Sequence, residues 1–155
     1  MKKFLLSILA GFVFLNVALI LGAMVARRRL PRYGDEHSDT FALVAAMDGV
    51  DFASKADPLR SGSGTAVAGG IEIDLTGARP AGMATLDLTA VAGGIDVVVP
   101  QDWRVEMDSS AFMGGIDNLT EPDAAGEDAP VLVVTAKAFM GGIAVRAQET
   151  LSAAE

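Results

Sequence analysis

The chain has 155 residues, with twelve basic and twenty acidic side chains, one histidine, no cysteine and a net charge of −8. That length allows one domain with an appendage, and the missing cysteine excludes disulfides, thiolate metal ligands and a cysteine nucleophile. Beyond Arg32 only six basic residues stand against all twenty acids, a net charge of −14 that repels nucleic acid, so no nucleic-acid partner is expected.

The first element in chain order is an apolar run of 22 residues, Phe4 to Val25, with Ser7 and Asn16 as its polar exceptions. At about 1.5 Å per residue a helix of that length spans roughly 33 Å, enough to cross a bilayer core. A cleaved signal peptide has a shorter apolar region, and Ala23-Met24-Val25-Ala26 before three arginines is a poor cleavage site. Residues 1–26 are therefore expected to form a single-pass anchor in the plasma membrane, with the lipid bilayer as partner. Lys2 and Lys3 precede the run while Arg27, Arg28, Arg29 and Arg32 follow it, so the positive-inside rule places the rest of the chain in the cytoplasm.

Residues 27–39 read as a basic-to-acidic juxtamembrane linker. Arg27, Arg28, Arg29 and Arg32 form a collar suited to anionic headgroups, and Pro31, Gly34 and Asp35-Glu36 stop the helix. The linker is expected to hold the acidic domain off the membrane surface, with His37 as a solvated residue within it.

From residue 40 to 147 one phrase recurs: Met47-Asp48-Gly49-Val50-Asp51, Ala68-Gly69-Gly70-Ile71-Glu72, Ala92-Gly93-Gly94-Ile95-Asp96, Met113-Gly114-Gly115-Ile116-Asp117 and Met140-Gly141-Gly142-Ile143-Ala144. The second glycines are 21, 24, 21 and 27 residues apart. Apolar residues recur one place after them, three after (with Asn118 as the exception), three before (Ala46, Val67, Val91, Phe112, Phe139) and eight before, where Gly62 is the exception. Such spacing predicts strands with one buried face, and units of this kind build a core only by stacking. The fold expected is mainly β, a short β-solenoid or β-roll of about five repeats after one transmembrane helix; a β-sandwich with the same strands is the other architecture. Gly49, Gly69, Gly70, Gly93, Gly94, Gly114, Gly115, Gly141 and Gly142 are expected to be structural turn glycines, reaching positive φ at a sharp bend repeated in every unit. Pro80, Gly82 and Pro100-Gln101-Asp102 are expected at turns, with Trp103 packing beside the last. Leu119 to Pro130 reads as an exposed acidic loop, and residues 148–155 as a flexible tail.

No unit shows a phosphate-binding glycine motif, and neither Ser109-Ser110 nor Ser61 and Ser63 has a histidine nearby in sequence, so no catalytic, cofactor or metal residues are assigned and the chain is expected not to be an enzyme. Asp51, Glu72, Asp96 and Asp117 stand two places after the glycine pair. In a stack they form a ladder about 4.8 Å apart. A basic protein partner, a divalent cation and plain solvation are the three readings of that ladder.

The stretch Thr85–Asp117 resembles the C-terminal domain of LiaF-like proteins, membrane proteins of the response to cell-wall-active antibiotics. The shared pattern is a glycine phrase closed by an acid (Ala92-Gly93-Gly94-Ile95-Asp96), a Val99-Pro100-Gln101-Asp102-Trp103 turn, an alternating strand, then Phe112-Met113-Gly114-Gly115. Phe139-Met140-Gly141-Gly142 repeats it, and the resemblance covers roughly residues 39–146. It implies a cytoplasmic regulatory domain in envelope-stress signalling, with a sensor histidine kinase as partner. Typical family members have several membrane helices, so contacts made through those helices are not carried over. The expected function is a non-enzymatic, membrane-anchored interaction or regulatory module; the alternative is a homo-oligomeric, self-assembling β-scaffold.

Overall fold

The computed structural model describes residues 1–30, 32–121 and 125–148. One helix, α1 (Lys2–Arg29), is followed by ten strands: β1 (Thr40–Ala46), β2 (Gly49–Ala53), β3 (Leu59–Val67), β4 (Gly70–Asp74), β5 (Pro80–Val91), β6 (Gly94–Val99), β7 (Arg104–Phe112), β8 (Gly115–Leu119), β9 (Val131–Phe139) and β10 (Gly142–Ala147). The helix is long and apolar enough to cross a membrane, and it runs three residues beyond the expected anchor, through the arginines. Apart from Gln148, the expected tail lies outside the described residues, as does Pro31.

The strands form two five-stranded parallel sheets, β1-β3-β5-β9-β7 and β2-β4-β6-β10-β8. Each odd strand turns through a two-residue corner into the even strand after it, so a repeat is one rung contributing a strand to each sheet. The rungs do not stack in chain order. The fifth, β9–β10, inserts between the third and the fourth. The chain leaves β6 through the short Pro100–Trp103 connection, skips one rung position, and comes back through the long segment after Leu119 to fill it. That return is the structural reason for the 27-residue spacing.

The core lies between the sheets. In the first sheet three inward rows run across the rungs, in spatial order: Phe41, Gly62, Leu86, Val134, Met107; Leu43, Gly64, Leu88, Ala136, Ser109; and Ala45, Ala66, Ala90, Ala138, Ala111. The all-alanine row is nearest the corner, where the sheets converge and larger side chains would collide. Facing it are Val50, Ile71, Ile95, Ile143 and Ile116 of the second sheet. Gly62 breaks the apolar row because the Phe41 ring fills the space that its side chain would take. Trp103 is only 4% exposed and belongs to this core. Pro80 and Gly82 are not at a turn: they open β5, with Gly82 at φ +96°.

Two expectations are corrected here. The row Ala46, Val67, Val91, Phe139, Phe112, read from the sequence as core, lies on the outer face of the first sheet. It stands five residues from the Phe41 row, and an odd offset in a strand means the opposite face. The linker is also no spacer. Ala23 and Ala26 of α1 pack on Ala46 and Val67, with Val91 alongside. Tyr33 then doubles back as an antiparallel bridge to Ala42, with N–H to O distances of 3.2 and 2.8 Å, covering the edge of β1.

Candidate functional site

The five corners form a column, but their glycines do not work as the sequence suggests. The positive-φ residue is the one before the glycines: Met47 (61°), Ala68 (53°), Ala92 (52°), Met113 (54°) and Met140 (52°). None of the corner glycines has φ in the left-handed region.

The first glycine of each pair is needed for close approach. A Cβ on Gly69, Gly93, Gly141 or Gly114 would stand less than 3.0 Å from the carbonyl oxygen of the equivalent residue one rung back: Asp48, Gly69, Gly93 and Gly141 respectively. The same oxygens accept from the second-position N–H groups, Gly70, Gly94, Gly142 and Gly115, at 3.0–3.1 Å. A side chain at the first position would force this hydrogen-bonded column apart. Asp48 fills that position in the first rung, which has no rung behind it. Its carboxylate accepts from Ala46 N–H at 2.7 Å and pairs with Arg27 at 2.8 Å. The Arg27 hydrogen bond, and then that from Ala46, hold the Asp48 carboxyl below its usual range.

The second glycines answer no such demand. Added Cβ atoms at Gly70, Gly94 and Gly142 would meet neighbours only at 3.8–3.9 Å, and those at Gly49 and Gly115 would meet nothing within 4 Å. Five glycines in line on the outer face of the second sheet leave a bare floor. Beside them, in register, runs the row Asp51, Glu72, Asp96, Ala144, Asp117. Floor and row together make an open trough of about 560 Å³.

The expected ladder is interrupted: Asp51, Glu72 and Asp96 lie on successive rungs, but Ala144 of the inserted rung separates them from Asp117 at the end of the stack. Arg146 neutralises Asp96, with its Nη2 3.0 Å from Oδ2 and its Nε 3.2 Å from both carboxylate oxygens. Among the described residues Asp51, Glu72 and Asp117 have no cation within ion-pair distance, and no group of three or more histidines and carboxylates is disposed to hold a metal ion. Of the arginine collar, Arg27 is committed to Asp48 and Arg32 donates to the Val44 carbonyl, leaving Arg28 and Arg29 exposed at the helix end. The sequence reveals the acids by their spacing. It does not distinguish the two glycines, whose different roles depend on the neighbouring rung.

Comparison of the chain with protein-family models, curated proteins and solved structures finds no match.

Proposed function

We propose that the chain is a non-enzymatic, membrane-anchored interaction module that receives a cationic segment of a partner protein in the glycine-floored trough. The observation that carries this reading is the bare floor. Five consecutive rungs keep glycine where alanine would fit, although glycine costs about 0.5–1 kcal/mol relative to alanine in a strand. An empty floor beside unpaired carboxylates suits an extended chain bearing lysine or arginine, with its backbone close to the sheet. The trough is open along its length, the shape of a docking surface rather than of a pocket that excludes water from a reaction.

On this reading the fold is a short β-solenoid with one displaced coil, anchored in the plasma membrane with its β-domain in the cytoplasm. The likeness of the Gly-Gly phrases and the Pro-x-x-Trp turn to LiaF-like domains supports a regulatory role in cell-envelope stress signalling. A membrane signalling protein such as a sensor histidine kinase is then the class of partner.

The test uses the full chain in intact membranes, comparing the wild type with an Asp51→Lys, Glu72→Lys double variant. Both residues are exposed, so Trp103 melting stays unchanged while cross-linked capture of the membrane partner falls to background. Undiminished capture by the double variant would refute the trough as the docking site. A one-sided reporter fused after Glu155 decides the compartment, and external activity would sink the kinase-regulator reading.

A further inference from the structure

We propose that the corner edge of the first sheet is a second, lipid-facing surface: the exposed aromatic pair Phe112 and Phe139, with Met113, enters the headgroup–acyl boundary of the bilayer that α1 spans.

The first argument is continuity with the helix seat. Phe139 and Phe112 complete the outer row whose first members, Ala46 and Val67, lie against α1, with Val91 packed beside them. Beyond the cover of the helix the two aromatics follow, stacked at 5.2 Å and 11°. Phe112 is 60% exposed, Phe139 45% and Met113 69%. Such a stack presents to water a cost that contact with lipid would remove.

The second argument is depth. The 28-residue helix is about 42 Å long, against a hydrocarbon core of about 30 Å. Roughly eight residues are left for the headgroup layer. Shared between the lysine and arginine ends, that surplus puts Ala26 in the headgroup layer and Ala23 just inside the hydrocarbon boundary, and these are the residues that carry the domain. The sheet face seated on them is held at the level where aromatic side chains partition into membranes.

Charge gives a third argument. All twenty acids lie after Gly34, yet none falls among the five positive-φ corner residues, in the outer row ending at Phe112, or in the next outer row. That next row instead contributes Lys137, and the first acids on this face, Asp87 and Asp108, appear one row further from the corner. A margin whose single corner acid, Asp48, is paired with Arg27, and which is flanked by Lys137, Arg28 and Arg29, suits anionic headgroups.

Strain gives the fourth. Left-handed backbone strains any residue that carries a side chain. Three of the five corners nevertheless hold methionine there, and the side chains of Met47 and Met113 project into solvent. Glycine would relieve the strain; methionine keeps an adaptable apolar group on the margin.

The chain has no cysteine, so single probes are available in the full-length protein. Phe112→Cys, Phe139→Cys and, as reference, Asp102→Cys in the exposed turn before β7 are labelled with an environment-sensitive fluorophore. The labelled proteins are reconstituted in vesicles of phosphatidylcholine and phosphatidylglycerol. Lipids carrying a nitroxide near the headgroup should quench labels at 112 and 139 several-fold more than the label at 102. Equal quenching at the three sites overturns the proposal. Quenching that tracks protein density but not nitroxide lipid also overturns it, by assigning the row to a second copy. An unsubstituted control guards against misfolding: photoactivatable lipid should leave adducts on segments 110–113 and 137–140 of the wild-type chain as well as on α1, and adducts confined to α1 count against the proposal.

Discussion

Alanine substitution at Gly93 and, separately, at Gly94 distinguishes the two glycines of one corner. At Gly93 the new Cβ would stand under 3.0 Å from the Gly69 carbonyl oxygen, 3.1 Å from its nitrogen and 3.3 Å from its carbonyl carbon. All are backbone atoms, which no rotamer change can move. The rungs must part, stretching the hydrogen bonds from Gly94 to Gly69 (3.1 Å) and from Ala68 to Val91 (2.9 Å) that join them. Two weakened hydrogen bonds at about 0.5–1.5 kcal/mol each, with about 1–3 kcal/mol of overpacking, give a loss of about 2–6 kcal/mol. A domain of this size has about 5–15 kcal/mol in all. At Gly94 the nearest atom is 3.9 Å away, so alanine fits and stiffens the unfolded chain, a gain of about 0.4–1 kcal/mol. Trp103, the single tryptophan and a member of the core, reports unfolding directly. At about 4–8 °C per kcal/mol, Gly93→Ala should lower the midpoint by about 8 °C or more, while Gly94→Ala leaves it unchanged or raises it. Equal losses at the two positions would refute the close-approach account of the first glycine and the bare-floor account of the second.

Two further outcomes are expected. Asp48 has its carboxyl lowered by Arg27 and the Ala46 N–H, so its ionised form favours the folded state. That contribution is complete above the unfolded value near 4 and is lost as pH falls through the folded value below it. Melting curves of the wild type and Asp48→Asn should therefore differ at neutral pH and converge below about pH 4; a gap that persists in acid contradicts the assignment. Truncation of residues 131–155 should release β7 and β8 together with the deleted strands, because among the described residues β7 pairs only with β9 and β8 only with β10. Trp103 emission, read on the truncated chain, should shift to that of exposed indole, whereas native emission would show that the fourth rung stands without the fifth.

The periodic content of this fold was legible; its geometry across rungs was not. Spacing located the five corners and the acidic positions, and hydropathy the long apolar helix, because each depends on residues within one unit. The order of the rungs depends on which strands pair, and the only trace of the displaced fifth rung was the long interval before Gly142, which reads equally well as a surface loop. The Phe112 and Phe139 positions were misread for a simpler reason. They are apolar and periodic, but five residues from the Phe41 row, and that parity puts them outside. The alanines at fixed spacing, Ala45, Ala66, Ala90 and Ala138 in the core and Ala111 exposed on the end rung, mark the inner face better, but alanine is a weak marker of burial.

The same corner geometry gives the stack a direction, which bears on self-assembly. Each first-position Cβ vector points at the carbonyl oxygen one rung back, so a rung can be added beyond the fourth, at the open end of the stack, only if its own first corner residue is glycine. A second copy arriving head to tail would present Asp48 there, and its Cβ would meet the Gly114 carbonyl as an alanine at Gly114 would meet that of Gly141. At the opposite end the Tyr33 bridge already occupies the hydrogen-bonding edge of β1. Asp48 thus acts as a stop in the repeat: it ends the glycine column and ties its own end of the stack to Arg27 of α1. A chain whose first rung is both sterically closed and fastened to its N-terminal helix is better suited to presenting one finite face than to extending into a filament. That asymmetry favours the interaction module over the scaffold.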